Sequence, residues 1–288
     1  MTSAERNPGA DPDALLDLAR DAAHAAADLI HLRRPESLEV PTKSTSTDHV
    51  TQMDLLSEDL IRSRIASARP DDAVLGEEHG GSIDPTRVTW VIDPIDGTTN
   101  YLYDHPGYAV SIAACAGGST LAGVVADPTH GRTYFATAGG GAWCEYSPGP
   151  DGVKAPPRRL ALGEPPPLAG MLVATGFGYD PRRRALQGRV VAELLPRIRD
   201  IRRMGAAALD LCSVAAGRVD AYYEAGLSIW DLAAGQLVAA EAGAAVEALE
   251  GGPPRPGSVL VTHPLRISEL RDLLTDCGVS HSIEPETT

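Results

Sequence analysis

The sequence has few cysteines, no surplus of basic residues and no long apolar run. Its four cysteines, Cys115, Cys144, Cys212 and Cys277, are scattered, with no CxxC pair. Neither they nor the eight histidines form a cluster at zinc-binding spacing, which argues against a zinc module or a disulfide framework and predicts reduced thiols. No stretch of about 18 apolar residues is present, so no bilayer-spanning helix is expected. Met1 to Asp13 is polar and lacks the basic-then-apolar pattern of a secretory signal. Together these absences predict a cytoplasmic protein. Lys and Arg number 25 against 39 Asp and Glu, a formal charge of −14. Such a chain repels nucleic acid and anionic membranes unless a local basic patch intervenes. The main basic cluster, Arg182-Arg183-Arg184, reads as a solvated helix start. No internal repeat is found.

What is present is enough chain for a sizeable core. At 288 residues, the length suggests two domains or one large one. Asp11-Pro12 reads as an N-cap and first helical position, followed by Leu15, Leu18, Ala22, Ala26, Leu29 and Ile30 at helical spacing up to Pro35. A second helix is expected from Thr47-Asp48 to about Ala68, with Leu56, Leu60 and Ile61 facing inward. Short apolar runs follow at 73–76, 88–92, 108–115 and 121–126, the last continued by 134–137. Turn residues separate them, which predicts an antiparallel sheet. Residues 146–167 are rich in Pro, Gly and charge, a candidate hairpin and linker. Beyond them, strands and helices alternate: strands at 171–174, 201–203, 219–223 and 259–262, helices at 182–195, 206–216, 231–242 and 267–275. The expected organisation is an α+β domain over residues 1–163 and an α/β domain over 164–288 that completes the site.

The chemistry concentrates in four segments. In Trp90-Val91-Ile92-Asp93-Pro94-Ile95-Asp96-Gly97-Thr98-Thr99-Asn100, an apolar strand ends and two carboxylates follow three residues apart. Pro94 stiffens the turn between them, so Asp93 and Asp96 can converge on one point. Gly97 permits close backbone approach, and Thr98 and Thr99 stand at an expected helix start, where free N–H groups suit a phosphate oxyanion. Acid pairs beside a phosphate cradle fit a hard, oxygen-seeking cation such as Mg²⁺. Glu77 and Glu78 follow the 73–76 strand, and their end meets that of the 88–92 strand if the two pair. Asp231 stands at an expected helix start after a strand carrying Glu224, where an N-cap carboxylate keeps one oxygen for a metal. Lys43 to Asp54 is a polar loop entering a helix.

Asp93-Pro94-Ile95-Asp96-Gly97-Thr98-Thr99-Asn100-Tyr101 resembles the signature of the inositol monophosphatase family. Trp230 to Gly235, continuing to Gly243, resembles its second signature, and Gly76-Glu77-Glu78, Lys43 to Asp54 and Gly205 to Leu211 resemble further family segments, together covering about residues 12–275. The resemblance implies a layered αβαβα sandwich, usually a homodimer, and a lithium-sensitive, magnesium-dependent phosphatase using two or three ions. It implies one ion on Glu77, Asp93 and the Ile95 carbonyl, a second on Asp93, Asp96 and Asp231, and a looser third near Glu77. Lys43, Asp54 and Glu78 match positions behind these ligands, Gly97 and Thr98 the phosphate cradle, and Ala207, Glu224 and Asp231 substrate contacts. Glu77 and Thr98 are expected to orient the attacking water, and Asp96 to act with them in catalysis. The implied substrate is a small phosphorylated polyol, myo-inositol monophosphate first. Histidinol phosphate, fructose 1,6-bisphosphate or a 3′-phosphonucleotide remain alternatives, as does a regulatory binding role. The family usually has Ser or Thr where this chain has Ala206, so a hydroxyl is expected to be missing beside the substrate.

Overall fold

The computed structural model describes residues 10–35, 51–149 and 151–280. Helix α1 (Pro12–Leu32) starts at Asp11, whose carboxylate accepts from Asp13 N–H, and buries Leu15, Ala19, Ala22, Ala23, Ala26 and Ile30. Helix α2 (Gln52–Ala68) starts at Thr51, which forms a reciprocal cap with Asp54. Thr47 and Asp48, where the sequence places its start, lie outside the described residues.

Strands β1 (Ala73–Gly76), β2 (Thr89–Asp96), β3 (Ala109–Ala116), β4 (Ser119–Asp127), β5 (Arg132–Thr137), β6 (Gly141–Tyr146) and β7 (Arg158–Leu160) form one seven-stranded sheet in chain order. The 134–137 run is thus not a continuation of β4 but a separate strand, β5, turned back against it. The sheet is antiparallel except at one edge, where β1 and β2 run parallel, with Gly76 opposite Ile92. Residues 77–88 make the return that parallel pairing needs. This departure from the antiparallel expectation brings the ends of both strands to the same side, so Glu77 follows directly beside Asp93.

Helix α3 (Thr98–Leu102) is a single short turn after β2. The second half contributes β8 (Leu172–Thr175), α4 (Pro181–Leu194), β9 (Asp200–Arg202), α5 (Ala207–Ala215), β10 (Ala221–Ala225), α6 (Ile229–Glu241), β11 (Ala245–Glu247), β12 (Ser258–Thr262) and α7 (Ile267–Asp276). Its five strands form a mixed sheet in the order β11-β12-β10-β8-β9.

Side-chain alternation along the strands assembles the layers. Trp90 and Ile92 of β2 pack with α1 and α2, whereas Val91 between them packs with α5 and α6. In the second sheet, Tyr222 and Val259 face α5 and α6, while Tyr223 and Leu260 face α4 and α7. The result is a five-layer αβαβα sandwich in which both sheets are covered on two sides. That is why their strands read as continuous apolar runs.

The fit between sheet and central helices is close. A Cβ on Gly123 of β4 would stand 3.0 Å from the Ala234 backbone of α6. Gly123→Val is therefore expected to push α6, the carrier of Asp231, off the sheet and to cost about 2 kcal/mol by overpacking. Urea unfolding checks this, and unchanged stability would contradict it. Among the described residues no helix is long and apolar enough to cross a membrane.

Candidate active site

The two carboxylates of Asp93-Pro94-Ile95-Asp96 sit on the strand itself, not on a turn beyond it. Strand β2 continues to Asp96, and its pairing with β3 shifts register between Asp93, opposite Ser111, and Asp96, opposite Ala109. In a regular strand, residues three apart point to opposite faces. The irregularity at Pro94-Ile95 re-aims them, as bulges at strand ends do, and a proline there removes no needed ladder bond. Asp93, Asp96 and Asp231 consequently offer carboxylate oxygens within 4.8 Å of one another.

Asp231 arrives from the opposite layer. Helix α6 is capped at Ser228, so Asp231 is its third residue rather than its N-cap. One of its oxygens accepts the Ser228 N–H at 2.6 Å. Asp96 is held by the start of α5: the N–H groups of Ala207 and Ala208 donate to its two oxygens at 3.2 and 2.7 Å. Ala206 is the N-cap of α5 and is buried there, so the side chain in question stands at a helix start rather than among the cleft-lining residues. With no capping hydroxyl, α5 uses the Asp96 carboxylate instead.

A polar face of α2 supports the site from the other side. Met53, Asp54, Ser57, Glu58, Ile61 and Ile65 are buried, whereas Leu56, expected to face inward, is half exposed and Leu60 only partly buried. Asp54 accepts from Thr51 through one oxygen, and its other oxygen accepts from the Thr98 hydroxyl at 3.2 Å. Ser57 donates to the Pro94 carbonyl at 3.1 Å. Glu58, absent from the sequence reading, accepts from Glu78 N–H at 2.8 Å, His79 N–H at 3.2 Å and Arg62 Nε at 2.7 Å. It thereby fixes the turn that carries Glu77. Its signal was its place one turn after Asp54 on the same helical face. Lys43 lies outside the described residues.

A cleft of about 520 Å³ joins these elements, lined by Glu77, Asp93, Ile95, Asp96, Gly97, Thr98, Ala207, Glu224 and Asp231 among others. Gly97 has φ +92°, and a Cβ there would meet the Gly107 carbonyl at 3.0 Å, so glycine is required on two counts. The Thr98 hydroxyl lies 3.0 Å from the Ile95 carbonyl as well as near Asp54. Tyr222 donates to one oxygen of Glu224 at 2.6 Å. Glu78 is not among the cleft-lining residues, and its backbone is held by Glu58. Arg183 turns into the cleft while Arg182 and Arg184 are exposed, so only two of the three expected solvated arginines are.

The electrostatics of the site favour a bound cation. Burial, then the charges of Glu77, Asp96 and Asp231, push Asp93 well above the carboxylate range. Burial also raises Asp96 to about 7, against the two helix N–H groups that favour its charged form. Enclosure and then Asp96 raise Asp231, and burial raises Glu224 to about 7. Gathered carboxylates of this kind are stable when ionised only around a cation. The three clustered donors are all carboxylates, which suits Mg²⁺ rather than zinc or copper. A group whose folded-state value is raised contributes its stability below its unfolded value and loses it as pH climbs through the folded one. The metal-free protein is therefore expected to melt lower at about pH 8 than at about pH 5, the loss running from the ordinary carboxylate value of about 4 up to about 7, where Asp96 and Glu224 ionise in the folded state, and Mg²⁺ should restore the melting temperature at the higher pH. Thermal unfolding in chelator and in excess Mg²⁺ checks this; equal or higher stability of the stripped protein at pH 8 would contradict it.

Comparison with known proteins agrees with this construction. The model of the inositol monophosphatase family matches residues 11–275. A Mycobacterium leprae protein named inositol-1-monophosphatase is 45% identical over 271 residues, covering 88% of this chain and 90% of its own. A Pasteurella multocida protein named Nus factor SuhB is 37% identical over 269 residues, covering 91% and 96%. The solved structure of Mycobacterium tuberculosis SuhB superposes with a TM-score of 0.77 at 41% identity, over 95% of this chain and 99% of that one. Fold, clustered carboxylates and sequence together place this chain in the inositol monophosphatase family, a family of phosphatases.

Proposed function

We propose that the cleft hydrolyses a phosphate monoester of a small polyol, with inositol monophosphate as the foremost substrate and Mg²⁺ as cofactor. The observation that carries this reading is the convergence of Asp93, Asp96 and Asp231 beside the Gly97-Thr98 turn. Glu77, Asp93 and the Ile95 carbonyl would hold one ion, Asp93, Asp96 and Asp231 a second, and the region of Glu77 a looser third. Bound there, the ions supply Lewis-acid charge that offsets the phosphate and the oxygens entering and leaving it.

The chain's own residues do the rest. The Thr98 hydroxyl hydrogen is committed to Asp54 or to the Ile95 carbonyl, so its oxygen is left to accept from a water. Glu77, lining the same cleft, is the second acceptor for that water and takes its proton as the water oxygen bonds to phosphorus and the phosphorus–oxygen ester bond breaks, the released polyol oxygen taking a proton from solvent water. The N–H groups of the first turn of α3 have no partner within the helix and face the phosphate oxygens. Glu224, held by Tyr222, accepts from polyol hydroxyls at the other end of the cleft. The reading also takes the protein as the homodimer usual in this family. The Nus factor name of the Pasteurella relative supports a regulatory binding role as a second reading; the charge of −14 argues against direct contact with RNA.

A phosphate-release panel tests the proposal: inositol 1-phosphate, histidinol phosphate, fructose 1,6-bisphosphate and a 3′-phosphonucleotide, each with and without Mg²⁺. Magnesium-dependent release, fastest from the inositol ester, is expected. No release from any ester at any magnesium concentration would overturn it.

A further inference from the structure

Asn100, the third residue of α3, is not among the cleft-lining residues and has no part in the chemistry above. Its side-chain amide donates to two carbonyls at once, that of Gly107 at 2.7 Å and that of Met204 at 2.8 Å. Only the N–H end of an amide can satisfy two facing carbonyls, which fixes its orientation. Met204 lies 104 residues further along the chain, in the segment that leads into α5. One side chain thus ties the turn after β2 to the other half of the molecule.

The two segments it joins also wall the Gly97 turn. A Cβ on Gly97 would stand 3.0 Å from the Gly107 carbonyl oxygen, and 3.2 Å from both the Gly205 carbonyl oxygen and the Ala206 Cβ. Gly97 therefore sits in a slot whose two sides are pinned together by Asn100. The seat of the amide is fitted in turn: Gly205 has φ +98°, and a Cβ there would stand 3.0 Å from Asn100 Nδ2. The Asn100 backbone is held as well, its carbonyl accepting from His105 N–H at 2.8 Å.

What this tie controls is Asp96. The segment from Met204 runs directly into Ala207 and Ala208, whose N–H groups hold the two Asp96 oxygens at 3.2 and 2.7 Å. Asp96 belongs to β2 by its backbone and to the start of α5 by its carboxylate, so its aim depends on the spacing of the two. A misplacement of about 1 Å, caused far from the reacting atoms, can slow an enzyme by about a hundredfold.

We propose that Asn100 is a positioning residue for the phosphatase reaction: by locking the start of α5 to the Gly97 turn, it holds the Asp96 carboxylate where it meets a cation together with Asp93 and Asp231. The kinetic part of this proposal rests on the phosphatase reading. Because Asn100 lines no part of the cleft, it governs turnover and ion affinity rather than ester binding.

With the full chain, Asn100→Ala is expected to lower kcat for inositol 1-phosphate by about tenfold to a hundredfold at saturating Mg²⁺, to leave KM within about threefold, and to raise the calorimetric Kd for Mg²⁺ by about fivefold. Asn100→Asp, of the same shape but with acceptors turned on both carbonyls, should lose at least as much. In both variants the Ala207 and Ala208 amides should exchange hydrogen faster, while residues 212–215 at the far end of α5 stay protected. A variant that only melts earlier, with kinetics, ion Kd and amide exchange as in the parent, overturns the proposal. So does a rise in KM alone, which would put Asn100 on the substrate. Should Asn100→Ala fail to fold, Asn100→Ser, whose hydroxyl keeps one donor, carries the same comparison. If the parent releases no phosphate, the phosphatase reading fails, and the ion Kd and amide exchange decide the role of Asn100 on their own.

Discussion

Replacing Asp96 with asparagine is expected to lower turnover by at least about a thousandfold, equivalent to about 4 kcal/mol of transition-state stabilisation, while leaving the protein folded. Asp96 stands between the two halves of the site. It lies within 4.8 Å of Asp93 and Asp231, and it closes the start of α5 through Ala207 and Ala208. Asparagine has nearly the same shape and can still accept from one of those N–H groups. It removes a charge that burial already disfavours, so the metal-free variant should melt no lower than the parent at neutral pH. What it cannot supply is an anionic oxygen for a divalent cation. Steady-state kinetics and thermal unfolding separate these effects. An active variant would remove Asp96 from the cation site, and an unfolded one would make its role structural.

Glu58→Ala carries the largest expected effect on stability. The carboxylate is fully buried and accepts from Glu78 N–H, His79 N–H and Arg62. Its loss strands two backbone donors and a partly buried guanidinium, a cost of about 3–5 kcal/mol. The turn bearing Glu77 loses its anchor at the same time, so the magnesium concentration for half-maximal activity should rise. Glu58→Gln, which keeps one acceptor, should recover part of both losses. Chemical denaturation and a magnesium titration check the pair of effects; a stable Glu58→Ala protein with unchanged magnesium dependence would show that Glu77 is placed by other contacts.

These two residues also mark where the sequence is legible. Asp96 lies in a contiguous string whose meaning is local: a strand, a proline, two acids and a glycine before a short helix. The layered sandwich follows from similarly local patterns, since strands buried on both faces must be apolar throughout. Glu58 is different. Its partners, Glu78 and His79, lie 20 and 21 residues away and meet it only after β1 pairs with β2. The parallel pairing of these strands is itself set by a return loop with no apolar signature. The inner face of α2 departs from its apolar periodicity for the same reason. Periodicity assigns Leu56 to the core, but Asp54, Ser57 and Glu58 face inward because the site needs their oxygens, and Leu55 and Leu56 are left half exposed. Strands β7 and β11 carry no such signal because they are three residues long, and β6 starts inside the Gly139-Gly140-Gly141 run, which reads as a turn. The α6 cap lies three residues before Asp231, since Ser228 and Asp231 are both good capping residues and only their reciprocal geometry tells which starts the helix.

The convergence of buried carboxylates on a cation that the phosphate requires is tested most directly by stripping the protein of divalent metal and following phosphate release from inositol 1-phosphate as Mg²⁺ is returned. Release should be absent in chelator, rise with added Mg²⁺ to the unstripped rate, and stay absent in Asp96→Asn at every magnesium concentration. Undiminished release from the stripped protein would contradict the account.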